Sequence, residues 1–245
     1  MAARSGTLPA DSVRAMFDRI AGVYDVMNTV MTAGLHHRWR ERAVDLARVG
    51  PGSAALDVAT GTGDLAIELA SRGASVTGSD FSEGMLTRAR AKAPGIRWEQ
   101  ADAMALPYDD ATFDAATVGF GARNFGDLQR GLEEMVRVVR PGGRVVVLEI
   151  TSPAKPPLST FFSLWFDRIV PLLGRFDEAY TYLPSSVKRF PGPERLAAAL
   201  ADAGCARVGW ILTAGGIIAI HHGVKSPGGD FSASSTSADE GRVAG

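Results

Sequence analysis

Between residues 54 and 150, strand-like and helix-like segments alternate, with a glycine-rich turn after the first strand. "AALDVA" (54–59) is a short apolar run that meets "GTGD" and then the helical pattern "LAIELASR". "SVTGSD" (75–80) is a second strand ending on an acid, followed by "SEGMLTRARAKA" as a helix capped by Ser82, whose hydroxyl can accept from a free amide of the first turn. "IRWEQAD" (96–102) and "FDAATV" (113–118) are the third and fourth strands. The helix "LQRGLEEMVRVV" stops at "RPGG", where proline and glycine cannot continue it. The continuous β-branched run of the fifth strand, "RVVVLEI" (144–150), predicts burial on both faces. Such alternation predicts a mostly parallel sheet with helices on both faces. After an interruption come the helix "PERLAAALADAG" and two closing strands, "RVGWIL" and "GGIIAIHHGV". Only "TAG" separates those two, which is too short for a crossover, so they pair antiparallel.

Composition narrows the class. With 245 residues and 46% hydrophobic content, the chain can bury one large core. A net charge of −1 gives no electrostatic reason for a nucleic-acid partner. The lone cysteine, Cys205, excludes an internal disulfide framework and fits a reducing compartment. No apolar run approaches the roughly 20 residues of a membrane span, and "MAARSGTLPADS" lacks the apolar core of a secretory signal. The expectation is a cytoplasmic protein. Residues 1–11 and 226–245 read as disordered, having too few apolar side chains to offset their ordering entropy. Residues 12–225 form one domain, with a helical cap at 12–50 and a helical insertion at 151–192.

The first loop, Gly61-Thr62-Gly63-Asp64-Leu65-Ala66, matches the nucleotide-binding pattern G-x-G-x-x-A between strand and helix. Glycines there let backbone approach a ligand, and the helix start offers free amides. Asp80, at the end of the second strand, can accept from both hydroxyls of a ribose. Two ligands compete, a dinucleotide and S-adenosylmethionine. Asp57 and Asp64 bracket the loop and oppose a pyrophosphate, whereas a sulfonium and an ammonium would be attracted. Asp102, in "QADAMALP", adds an acceptor for an adenine amino group. The charge pattern favours the cationic ligand.

"LDVATGTGD", "GSDFSEGML", "ADAMALPYDDATFD", "GFGARNFGD" and "RVVRPGGRVVVLEI" follow, in order, the motifs of class I methyltransferases. "MFDRIAGVYDVMNTVMTAGLHHRWR", the "FGxRN" pattern at 120–124 and "YTYLPSSVKRFPGPERLAAALADAG" narrow the match. Over about residues 16–224 the chain resembles the quinone C-methyltransferases of menaquinone and ubiquinone biosynthesis. Gly119 departs from the small serine or alanine more common there. The resemblance implies the Rossmann-like class I methyltransferase fold, with seven strands and the last antiparallel. It also implies transfer of the methyl of S-adenosylmethionine to a ring carbon of a prenylated quinol. Demethylmenaquinol is the acceptor in one branch and a benzoquinol in the other; the Ala-, Arg- and Gly-rich composition leans toward the first.

The candidate cofactor contacts are Tyr24, Asp57, Gly61, Thr62, Gly63, Asp80, Asp102, Ala103 and Gly119, and the candidate catalytic residues are Arg123 and Asn124. A ring carbon becomes nucleophilic as the neighbouring hydroxyl loses its proton. Arg123 keeps its charge and offers a planar fork to a phenolate, in a loop with almost no bulk. The structural alternative is that Arg123 pairs with Asp127 and shapes the loop. Tyr24, Asp25 and Asn28 lie in a segment expected to fold over the cofactor. His36, His37, His221 and His222 read as surface or packing residues, and no metal-ligand spacing is present. "PLSTFFSLWFDRIVPLLGRF" (157–176) reads as a lid for the prenyl tail, a contact with the inner membrane face, or a homodimer contact. A methyltransferase for another small acceptor, a nicotinamide-dependent oxidoreductase and an inactive cofactor-binding scaffold are the rival readings.

Overall fold

A computed structural model describes residues 10–21, 34–153 and 179–227, with the isolated positions 32, 159, 160 and 164. Seven strands form one sheet in the order β3-β2-β1-β4-β5-β7-β6: β1 (Ala54–Val58), β2 (Ser75–Asp80), β3 (Arg97–Gln100), β4 (Phe113–Gly119), β5 (Val139–Ile150), β6 (Cys205–Thr213) and β7 (Ile218–Lys225). The pairs β1–β2, β1–β4, β2–β3 and β4–β5 are parallel. β7 runs antiparallel to both neighbours, with Val147 opposite His221 and Ile211 opposite Ile220. The expected antiparallel closing pair is therefore present, and β7 sits inside the sheet while β6 forms its edge.

Seven described helices accompany the sheet: α1 (Ala10–Ile20), α2 (His36–Ala47), α3 (Asp64–Ser71), α4 (Glu83–Lys92), α5 (Leu128–Val138), α6 (Ala179–Arg189) and α7 (Pro193–Asp202). Strand side chains alternate between two cores, because successive residues point to opposite faces. Ala55, Ala115, Val146 and Leu148 join Val44, Leu69 and Leu86 from α2, α3 and α4. Leu56, Val58, Ala116, Val118, Val145 and Val147 join Leu132, Met135 and Leu200 from α5 and α7. Both faces are covered, which is why β1, β4 and β5 read as continuous apolar runs.

Local chemistry sets the helix starts. The Ser82 hydroxyl accepts from the Met85 amide at 3.1 Å, as expected, and Asp127 Oδ1 accepts from the Arg130 amide at 3.1 Å. Helix α1 packs against α4 through a polar latch: Asp18 Oδ1 accepts from the Ser82 hydroxyl at 2.5 Å and from the Gly84 amide at 3.0 Å. The start of β5 differs most from expectation. β5 begins at Val139 rather than 144, because Val139 already pairs with Phe113. The "RPGG" residues bulge out before the ladder resumes at Ala115–Arg144, and Gly142 takes the left-handed conformation at φ 79°.

Candidate active site

The parallel strands deliver their carboxyl ends to one edge, where open α/β sheets bind ligands. After β1 and β4 the chain turns sharply. Ala59 and Phe120 both adopt positive φ, 50° and 59°, an uncommon conformation for side chains with a Cβ and one concentrated at functional sites. The two turns nearly touch. A Cβ on Gly121 would lie 2.7 Å from Ala59 Cβ, so only glycine allows this approach. In the first loop Gly63 has φ 88°, and a Cβ there would lie 2.4 Å from the Trp98 ring. Trp98 belongs to β3, so the missing side chain lets the start of α3 pack closely on that strand.

These turns border a cleft with about 1230 Å³ of empty space, counting the solvent at its mouth. Its wall includes Asp57, Gly61, Thr62, Asp80, Ala103, Gly119, Arg123 and Asn124, so eight of the sequence candidates converge. Asp102 and Gly63 are not in the wall; the exposed Asp102 accepts from the Met104 amide at 2.9 Å. Tyr24, Asp25 and Asn28, and most of 157–176, lie outside the described residues. The wall also contains residues that the sequence reading passed over: Val13 and Phe17 from α1, Arg40 from α2, and the apolar Phe81, Met104, Phe120 and Phe125. Arg40 carried a signal, being a cation beside a tryptophan in "HHRWR", but nothing in the sequence linked it to the loop. None of the four histidines is in the wall. His221 is 1% exposed and bonds the Pro193 carbonyl at 2.9 Å, the packing role expected of it.

The electrostatics of the cleft centre on its acids. Asp57, 1% exposed, accepts from the Thr60 hydroxyl at 2.5 Å and the Thr117 hydroxyl at 2.6 Å. Burial pushes its carboxyl up to about 6, against the opposing pull of those hydroxyls. Asp80 accepts from the Gly61 amide and the Ser82 amide, each at 2.8 Å. Burial pushes it to about 6 as well, with those amides opposing. Among the described residues neither acid has a cation in contact, an arrangement that suits a positively charged ligand. Asp64 behaves differently. Burial opposes its ionisation, but Arg40 and then Lys92 outweigh burial and hold it below the usual carboxylate range. The repulsion of a pyrophosphate therefore rests on Asp57 and Asp80, since Asp64 is neutralised by Arg40 at 3.0 Å and Lys92 at 2.7 Å.

On the β4 side, the short helical turn Ala122–Asn124 presents Arg123. Arg123 does not pair with Asp127, which caps α5; its ion-pair partner is Glu149 of β5. Asn124 Oδ1 is buried without a hydrogen-bond partner, an acceptor available to a ligand group.

Residues 6–225 match the sequence pattern of the ubiE/COQ5 methyltransferase family. The chain belongs to that family. A demethylmenaquinone methyltransferase from Thermus thermophilus is 46% identical over 218 residues, covering 85% of this chain and 99% of the relative. A demethylmenaquinone methyltransferase from Deinococcus radiodurans is 48% identical over 196 residues, covering 76% of this chain and 81% of the relative. Among solved structures, an S-adenosylmethionine-dependent methyltransferase from Thermotoga maritima superposes with a TM-score of 0.63 at 19% identity. It covers 86% of this chain and 99% of that one, and supports the class I methyltransferase fold. This member of the family is thus an S-adenosylmethionine-dependent methyltransferase acting on a quinone-type acceptor. The cleft fits that cofactor: its acids suit a cation, and no described residue lies within 4 Å of where a Cβ on Gly61 would stand, so the loop backbone is open to close approach.

Proposed function

We propose that the chain transfers a methyl group to a ring carbon of demethylmenaquinol, the last step of menaquinone biosynthesis. The observation that carries the reading is the placement of Arg123, fixed by Glu149, on the same cleft wall as Asp57 and Asp80. The names of the Thermus and Deinococcus relatives support the choice of acceptor.

S-adenosylmethionine supplies an electrophilic methyl on a sulfonium. Asp80 takes the ribose hydroxyls, and Asp57 faces the cationic end. Gly61, Thr62 and Gly119 lie along the donor with little bulk, while Ala103 lies against the adenine. Arg123 donates to the acceptor's hydroxyl oxygen and Asn124 Oδ1 accepts its hydrogen, while the guanidinium stabilises charge developing as the hydroxyl proton leaves. The ring carbon beside it gains electron density and attacks the methyl in line. The sulfur–methyl bond would break as the carbon–carbon bond forms, leaving S-adenosylhomocysteine; the ring hydrogen would then depart as a proton and the oxygen regain the one it gave up, for a net release of one proton. Holding both partners in near-attack geometry is the main task of the cleft.

The reading extends to location. Residues 12–225 act as one domain in the cytoplasm, with the 151–192 insertion covering the prenyl tail and touching the inner face of the plasma membrane or a second copy. Its support is the density of Phe, Trp, Leu and Ile in 157–176 and the lipid nature of the acceptor. Among the described residues, no helix is long and apolar enough to cross a membrane.

Two measurements test the function. Deletion of the gene should make demethylmenaquinone accumulate; unchanged quinones, or accumulation of a benzoquinone precursor, would overturn the acceptor. Purified enzyme should require a reductant when the acceptor is supplied as quinone, since only the quinol has an ionisable hydroxyl. Equal turnover of oxidised and reduced acceptor would sink the phenolate step.

A further inference from the structure

Arg40 has more donor capacity than its visible partner uses. It projects from α2, is 7% exposed, and places Nη2 at 3.0 Å from Asp64 Oδ2. Its Nη1 is buried without a hydrogen-bond partner, although the side chain lines the cleft. Buried guanidinium donors are costly to leave unmet. Lys92 Nζ also lies 2.7 Å from Asp64 Oδ1, so Arg40 is one of two cations against that carboxylate. Asp64 is the first residue of α3, so the Arg40 guanidinium stands beside the helix end whose free amides also favour an anion. Asp57 lines the same cleft and bonds only neutral hydroxyls. The cleft therefore offers a cation with an unmet donor and a buried acid, the complement of a zwitterion.

We infer that Arg40 binds the α-carboxylate at the amino-acid end of the donor, while Asp57 faces the α-ammonium. This rests on the S-adenosylmethionine reading and adds a residue to it. A single carboxylate matches the unmet Nη1 donor, whereas a polyanion would also meet Asp57 and Asp80.

Calorimetric titration with two thioethers that lack the sulfonium separates this role from simple support of the loop. S-adenosylhomocysteine carries the carboxylate, and S-adenosyl-3-thiopropylamine is the same molecule without it. The wild type should prefer the first by about ten- to a hundredfold, the range for a hydrogen bond to a charged group. Arg40→Met should erase that preference while leaving affinity for the decarboxylated ligand within about twofold. Arg40→Lys should keep part of the preference and provides the same ratio should the methionine variant fold poorly. An unchanged preference in both variants, or equal weakening of both ligands, would overturn the assignment and leave Arg40 as a brace for Asp64. Failure of the wild type to bind either ligand would instead defeat the cofactor reading itself.

Discussion

Arg123 and Glu149 form a buried ion pair at the carboxyl ends of adjacent parallel strands, with Nη1 to Oε1 at 2.9 Å and side-chain exposures of 8% and 1%. The Glu149 carboxylate also accepts from the Arg123 amide at 3.2 Å and the Ile150 amide at 2.9 Å. Arg123 Nη1 further donates to the Phe120 carbonyl. The catalytic candidate is therefore also structural, and its alanine variant would confound the two roles. Arg123→Ala leaves Glu149 as a buried uncompensated charge and should cost about 3–5 kcal/mol of stability. The double variant Arg123→Met/Glu149→Gln removes both charges and should recover most of that loss in thermal melts. Its single-turnover rate should nevertheless stay about 10²–10³-fold low if Arg123 stabilises transition-state charge. Recovery of turnover along with stability would reduce Arg123 to a loop-shaping residue.

Asp80 links two loops as well as facing the cleft. Its Oδ2 accepts from the Gly61 amide and its Oδ1 from the Ser82 amide. Asp80→Ala should weaken S-adenosylmethionine binding by about 1.5–3 kcal/mol, the range for hydrogen bonds to a charged group. Because the acid is 5% exposed and satisfies two amides, the melting temperature should fall too, unlike a merely exposed strand-end acid. Unchanged affinity by calorimetry removes Asp80 from the cofactor site.

Asp57 and Asp80 both titrate near 6, raised by burial. A cationic ligand favours their ionised forms, so S-adenosylmethionine affinity should rise from about pH 5 to 7 and level off above. The ligand-free protein should behave in the opposite sense. Folded pKa values above the unfolded ones give stability that is fully present below about 4 and lost as pH rises through 6. Titrating binding and melting across that window, with Asp57→Asn as comparison, checks both slopes. A flat affinity profile in the wild type would contradict the assignment of these acids to the donor.

Two glycines should respond differently to the same added methyl. Gly63→Ala meets both a positive φ of 88° and the Trp98 ring at 2.4 Å, and should cost about 1–3 kcal/mol or more. Gly119→Ala meets the Leu65 Cδ2 atom at 3.1 Å, the mobile end of a side chain, with no positive φ. It should fold nearly normally and retain cofactor binding. Chemical denaturation of both variants decides; equal losses would mean that the Leu65 contact is rigid.

The order of strands and helices was legible in the sequence because hydrophobic period, caps and breakers are local properties of the chain. Ser82 caps α4 by contact with a residue three positions away, and "RVVVLEI" announces a strand covered on both sides. The glycine loop and Asp80 were legible for the same reason: each stands where a strand ends. What only the tertiary structure decided are the partners. Glu149 lies 26 residues from Arg123 along the chain, yet parallel pairing of β4 with β5 brings them together; the nearer Asp127 is drawn into capping α5. Arg40 reaches Asp64 because α2 packs on the face that α3 covers. A side chain's charge is written in the sequence, but whether that charge is compensated depends on distances that only packing sets.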